Sequence, residues 1–323
     1  MCTMFFINKH RANDSRKKLL DKILNSVKRG INKMLNKKYQ IITDCPKPMA
    51  WDDYENKIIK EYDMLMKIKK DDERSFQDFF ERHPCMLPGA FGFFGESGHT
   101  PFNNVLITQP RLMGLTTKIP DFLWIANDSC TIYPIFIEIE KPSKRWFVSD
   151  GKPSSEFIHA QNQLTDWKVW FSNPNHQNLF FQYYNVDTEF MRGKSIKPFY
   201  VLIYGCRDEF IDKPELNIKR SQLQRENEIY MTFNRVMPNI KGRNIITCIV
   251  KEQKYHTKYV QPVFRLGPVF SREMSKIYGK YEAISNNDLI NDDRKKFLLS
   301  RLSYWDNFGR MNQQGVIYTG DWE

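Results

Sequence analysis

Three carboxylates carry the strongest chemical signal in this chain. Asp121 follows Pro120 near the start of the apolar run 119–126. Glu138 and Glu140 close a second run, 131–140, which Pro142 stops. Side chains alternate along a strand, so Glu138 and Glu140 share one face while Ile137, Ile139 and Lys141 take the other. If the two runs pair as a hairpin across Asn127, Asp128 and Ser129, the start of one lies beside the end of the other. Asp121 then approaches both glutamates. Acids converging beside apolar strands repel one another and lose hydration unless a cation or a proton neutralises them. A hard divalent ion does this, and Mg2+, with Mn2+ as a substitute, binds through one or two carboxylates plus water and phosphate oxygens. The competing reading of a bare Glu-x-Glu is two solvent-facing glutamates paired with Lys or Arg.

The elements around these acids follow from periodicity. Asp71 and Asp72 suit a helix cap, Phe76, Phe79 and Phe80 form an apolar stripe, and His83-Pro84 ends the helix. A Gly- and Phe-rich loop over 88–102 leads to strands over 104–109, 119–126 and 131–140. Phe157, Ala160, Leu164, Trp167 and Phe171 then repeat at helical spacing over 155–171, and 198–204 reads as a further strand. The short links predict antiparallel pairing of the first strands, and the helical connection permits a parallel fourth. This order of elements around the Pro-Asp and Glu-Ile-Glu pieces favours the metal-site reading. Beyond it, 221–236 reads as helix, 244–250 as strand, 288–305 as helix, and the tail from 306 as irregular. Ahead of it lie an amphipathic helix over 14–38, a Pro-containing connector over 39–50, and a helix over 52–70 with Tyr54, Ile58, Tyr62 and Leu65 on one face.

Lys and Arg exceed Asp and Glu by 11 charges. That balance suits a polyanionic partner such as DNA, and equally a plain basic surface. The six cysteines are scattered without Cys-x-x-Cys spacing, as expected of reduced thiols in a cytoplasmic protein, and zinc is not expected. No apolar run approaches the roughly 20 residues of a membrane span, and the N-terminus does not resemble a secretory signal. His10, His83, His99, His176 and His256 show no ligand spacing. Trp124, Trp146, Trp167 and Trp170 read as core before base-stacking platforms. The Gly-Phe-Phe-Gly and Gly-Glu-Ser-Gly pieces lack the strand-turn-helix setting of a phosphate loop, so no nucleotide cofactor is expected. The stripe Leu20, Leu24, Val27, Ile31 and Leu35 is too apolar to stay uncovered and predicts a homo-oligomer contact within 1–70.

On SFQDFFERHPCML, IPDFLW, FIEIEKP and HAQNQLTDW, from residue 75 to 204 with weaker texture to about 270, the chain resembles the Shedu anti-phage defence proteins (domain of unknown function 4263) of the PD-(D/E)xK nuclease superfamily. The resemblance implies an α/β, restriction-endonuclease-like αβββαβ core and metal-dependent phosphodiester hydrolysis of DNA in a bacterial defence system. It implies that Asp121 and Glu138 bind the metal, and that Gln163, one helical turn after His159, is the glutamine commonly found on the following helix. The expected site has Asp121, Glu138 and Glu140 holding one or two Mg2+ ions, with Gln163 positioning the water or a metal-bound ligand. The pattern departs at one place. The lysine expected two residues after Glu138 is Glu140, which leaves Glu140, Lys141, Lys144, Arg145 and Lys152 as candidates for its role.

The expected organisation is an N-terminal helical module over 1–70 for oligomerisation or sensing of DNA ends, a nuclease domain over 71–270, and a C-terminal helical extension over 271–323. Two rivals share the fold: a DNA-binding sensor that has lost catalysis, for which Glu140 in place of lysine is the relevant feature, and an RNA-processing or DNA-repair nuclease.

Overall fold

A computed structural model describes residues 39–92, 98–114, 119–269, 271–311 and 323. The amphipathic helix expected over 14–38, with its Leu20-to-Leu35 stripe, lies outside the described residues. Helix α1 spans Trp51–Ile68 and buries Tyr54, Ile58 and Tyr62. Helix α2 spans Glu73–Arg82, with Asp72 accepting the Ser75 backbone N–H at its start. Strands β1 (Val105–Thr108), β2 (Phe122–Asn127) and β3 (Thr131–Ile139) follow. Helix α3 (Ser155–Ser172) begins where the Ser154 side chain accepts the Phe157 N–H. Helices α4 (Pro174–Tyr183) and α5 (Thr188–Met191) lead to β4 (Ser195–Ile196) and β5 (Phe199–Ile203).

Among the described residues nine strands form one mixed sheet in the order β6-β5-β3-β2-β1-β7-β8-β9, with β4 beside β3; β6 is Glu228–Met231, β7 Ile246–Lys251, β8 Lys254–Val260 and β9 Ile277–Tyr278. Strand β2 runs antiparallel to β1 and β3, whereas β5 runs parallel to β3, as the connection lengths predict. Pro134 sits inside β3 without a backbone donor. It is tolerated because β4 ends at Ile196 and β5 resumes at Phe199, so the neighbouring strand is interrupted beside it.

Strand alternation divides the core in two. Leu123, Ile125, Phe136 and Leu202 face α3 and pack with Phe157, Leu164 and Trp167. Phe122, Trp124, Ile135 and Val201 face the opposite side and meet Tyr54, Ile58, Phe76 and Phe80 of α1 and α2. Burying one such side chain contributes about 1.5–3 kcal/mol relative to leaving it exposed. The four tryptophans weighed for base stacking, Trp124, Trp146, Trp167 and Trp170, are all buried in these clusters.

Several expectations need correction. The helix expected over 221–236 is instead the end of α6 (Pro214–Gln222), a turn through Asn227 at φ 58°, and strand β6. Pairing with β5 overrides the local helical pattern there. The C-terminal segment expected to be irregular from 306 is helical to Met311: after α7 (Ser271–Met274) and α8 (Lys280–Ser285), helix α9 runs Asp292–Met311 and buries Trp305 and Phe308. The boundaries at 70/71 and 270/271 do not coincide with breaks in packing. Helix α1 belongs to the core beneath the sheet, and β9 pairs with β8 across the second boundary.

Candidate active site

The register Phe122 opposite Ile137 places Asp121 across from Glu138 at the end of the β2–β3 pair. Both side chains fall on the α3 face by alternation, since Leu123 and Phe136 do. Asp121 Oδ2 accepts the backbone N–H of Ile139 at 2.8 Å. From α3, Gln163 Nε2 donates to Glu138 Oε1 at 2.5 Å. The other carboxylate oxygen, Glu138 Oε2, is buried and has no hydrogen-bond partner. The Asp121 carboxyl is also in hydrogen-bonding contact with the Glu138 carboxyl, so a proton between the two acids, or a cation, is what would offset the hydration lost there.

Glu138 and Glu140 are both buried, at 7% and 6% exposure. The solvent-facing alternative therefore does not hold. What survives of it is an ion pair: Lys144 Nζ lies 2.5 Å from Glu140 Oε2 and 4.0 Å from Glu156 Oε1. Of the cations considered for the missing lysine, Lys144 is the one brought to the carboxylates by a direct contact. Arg145 lies 3.9 Å from Glu209 and is mostly exposed, and Lys152 pairs with Asp150 on the surface. Strand alternation was expected to turn Lys141 away from the site. Because β3 ends at Ile139, alternation no longer governs Lys141, whose charge is felt by Glu73. His159 is exposed on α3, one turn before Gln163.

Glu73 is the residue that sequence reasoning missed. It opens α2, directly after the Asp72 cap, and its carboxylate belongs electrostatically to the site. Burial raises the Glu73 carboxyl, as does the charge of Glu140, while Lys144 and Lys141 oppose the shift. Burial also pushes Asp121 up; the Ile139 N–H pulls it down, and the charges of Glu73 and Glu140 push it up further. Glu138 is held well above the usual carboxylate range by burial first, then by Asp121, Glu140 and Glu73. The available sequence signal was only that an acid opens a helix, which the helix dipole explains equally well.

Four carboxylates thus influence one another at this end of the sheet, and among the described residues Lys144 is in direct contact with one of them. The donor set is all oxygen, which suits a hard cation and not zinc. Among the described residues no set of three or more His, Cys, Asp or Glu side chains stands ready in metal-binding geometry. Asp121 is turned to the Ile139 N–H and Glu140 to Lys144. The unpartnered Glu138 Oε2 and the upward-shifted pair Asp121/Glu138 are what a divalent ion would relieve.

The surroundings fix these groups. Gly205, at φ 59°, lies so close to the site loop that an added Cβ would stand 2.6 Å from the Lys144 carbonyl oxygen. Trp146 donates its indole N–H to the Tyr204 carbonyl at 3.1 Å, and the Glu209 carboxylate accepts the Trp146 and Phe147 backbone N–H groups. The loop carrying Lys144 is therefore clamped to the segment after β5.

The family model of the Shedu protein SduA, C-terminal, matches residues 70–237, just over half of the 323-residue chain. The match includes Glu73, Asp121, Glu138, Glu140, Lys144 and Gln163. No curated protein matches the chain. Among the described residues, no helix is long and apolar enough to cross a membrane.

Proposed function

The chain belongs to the family of the Shedu protein SduA, C-terminal, and from that premise we propose that it is an anti-phage defence nuclease that hydrolyses DNA phosphodiester bonds with Mg2+. The observation that carries the reading is Glu138: buried beside Asp121, oriented by Gln163, and left with one carboxylate oxygen unpartnered. A PD-(D/E)xK core agrees with the order α2-β1-β2-β3-α3-β5 and with the acids placed at the end of paired strands.

Asp121 and Glu138 would hold the ion, with Glu140 and Glu73 close enough to add negative charge. When bound, Mg2+ supplies Lewis-acid polarisation of the phosphate and a lower pKa for the attacking water. The chain's own residues account for the rest. Gln163 orients the Glu138 carboxylate through its amide N–H. Glu140 stands where the family pattern has lysine, yet it draws the Lys144 ammonium to the same place. Lys144 then offers positive charge to a phosphate oxygen, and Glu140 offers an acceptor for a water proton. Trp146, which follows Lys144 and Arg145 in the same loop, is packed against Phe157 and Tyr204 and anchors that loop.

The test is Mg2+-dependent cleavage of DNA and RNA by wild type beside Asp121→Ala and Glu138→Ala. Cleavage of DNA by wild type alone supports the reading. Cleavage of RNA only favours an RNA-processing enzyme. DNA binding without cleavage by any of the three would make the chain a sensor on a nuclease fold.

A further inference from the structure

Away from the acids, three arginines surround a cavity of about 370 Å3 lined also by Phe210, Asn217 and Thr232. The arginines are Arg207, just after β5, Arg220 on α6, and Arg235, just after β6. No Asp or Glu among the described residues lines this cavity. Arg207 and Arg235 have exposed side chains that make no ion pair among the described residues. Arg220 is held in place. Its guanidinium lies 5.3 Å from the Trp146 ring centroid and 5.5 Å from that of Phe210, and its Nε and Nη2 both donate to Asn217 Oδ1. Burial lowers the Arg220 pKa, and the charges of Arg235 and Arg207 lower it further, so the three arginines repel one another. A surface that gathers three like charges around a concavity without a counter-charge is arranged for an anion from outside the chain.

The cavity shares its end of the sheet with the acids. Strands β3, β5 and β6 are parallel neighbours, so Glu138, next to last in β3, and Arg207 and Arg235, beyond the ends of β5 and β6, lie toward the same rim. Two strand spacings separate β3 from β6, about 10 Å, or roughly three base-pair steps of about 3.4 Å. Trp146 joins the two places physically: it follows Lys144 and Arg145 in the site loop, and its ring lies beneath Arg220. Planar guanidinium forks match phosphate oxygens in pairs.

We propose that Arg207, Arg220 and Arg235 form a phosphate-binding pocket that grips the backbone of the DNA strand a few nucleotides from the bond at Asp121 and Glu138. This rests on the nucleic-acid reading given above, though not on catalysis. The pocket would set which phosphate reaches the acids.

The experiment uses the full chain in EDTA, so that cleavage plays no part. Binding of a fluorescein-labelled DNA duplex is followed by anisotropy over a range of salt concentrations, for wild type and for Arg207→Gln/Arg235→Gln. Both positions are exposed, so the double variant should melt like wild type by circular dichroism. The expected result is roughly tenfold weaker binding, with the slope of log K against log[salt] shallower by about 1. Equal affinity and slope for the two folded proteins, or no DNA binding by wild type, overturns the pocket. Stabilisation of wild type but not of the variant by inorganic phosphate or a nucleoside monophosphate, with DNA binding unchanged, would make the ligand a small phosphate and overturn the backbone assignment. The two readings fail separately. Wild type that binds DNA with the expected arginine dependence but never cleaves it refutes the nuclease and leaves the pocket standing.

Discussion

Lys144 reaches back to Glu140, with its ammonium nitrogen 2.5 Å from the carboxylate oxygen, beside the position where the resemblance to PD-(D/E)xK nucleases predicts a lysine. The position is acidic, but the space around it still holds a lysine ammonium. Lys144→Ala should therefore lower DNA cleavage by about 10²–10³-fold, as loss of one charge-stabilising donor does elsewhere. Lys144→Arg should recover part of it. Glu140→Lys should retain activity if the cation is what matters, whereas the swap Glu140→Lys/Lys144→Glu should outperform it if the ion pair is what matters. Single-turnover cleavage rates at saturating Mg2+ decide this, and wild-type rates in Lys144→Ala would remove Lys144 from the site.

Asp121→Asn and Glu138→Gln should each lower cleavage more than a hundredfold, since even partners behind a metal ligand are worth about 10–100-fold. Both should melt higher than wild type in EDTA, because burial and mutual repulsion hold the carboxyls above their usual range. Addition of Mn2+ should raise the melting temperature of wild type and not of Glu138→Gln. Thermal melts with and without Mn2+ check this independently of activity.

Gln163→Ala should leave the fold intact, because its side chain is only half-buried, while freeing the Glu138 carboxylate. A loss of about 10–100-fold in cleavage is expected. It should be accompanied by a higher Mg2+ concentration at half-maximal rate. A pure rate loss at unchanged Mg2+ dependence would assign Gln163 a role other than holding Glu138.

Acid sensitivity should come partly from Glu61. The contact with His83, 3.4 Å away, comes first in holding its carboxyl down to about 2; burial opposes this, and Arg82 at 2.6 Å lowers it further. In the unfolded chain the group titrates near its ordinary value, so between that value and about 2 the unfolded state binds the extra proton. Stability from Glu61 is therefore full above about pH 5 and is lost as pH falls toward 2. Glu61→Gln should flatten this limb of the stability profile, by roughly 1–3 kcal/mol at neutral pH. Urea melts from pH 3 to pH 7 measure it.

Truncation separates the N-terminal readings. Deleting residues 1–70 removes Tyr54, Ile58 and Tyr62 from the core under the sheet and should abolish cooperative folding. Deleting residues 1–38 leaves α1 in place and should give a folded chain. If the Leu20-to-Leu35 stripe is the contact between copies, that shorter deletion lowers the assembly state in light scattering. An unchanged assembly would place the contact elsewhere.

Gly205→Ala should cost about 1–3 kcal/mol for its left-handed backbone alone, and more for the approach to the Lys144 carbonyl. Cleavage should fall along with stability, since the same clash displaces the loop bearing Lys144. Full activity in a folded Gly205→Ala protein would show that the loop position does not matter.

Local pattern alone determined much of this protein. Alternation in the runs around Asp121 and Glu138 set two strands, the short turn at Asn127 to Ser129 made them a hairpin, and hairpin geometry brought the two acids face to face. Phe157, Leu164 and Trp167 likewise declared α3, which put Gln163 above Glu138. These features are encoded by neighbours in sequence, where one period decides which way each side chain points. Other features depended on distant segments meeting. Glu73 joins the site because α2 packs on the sheet through Phe76, Phe79 and Phe80, and Lys144 is placed beside Glu140 by a loop that Trp146, Glu209 and Gly205 clamp. The strand β6 replaced an expected helix because the β5 edge offered it backbone partners, and the same pairing set Arg235 beside Arg207. No periodicity in one segment contains the position of another, so only the closed tertiary structure could decide which charges share a site.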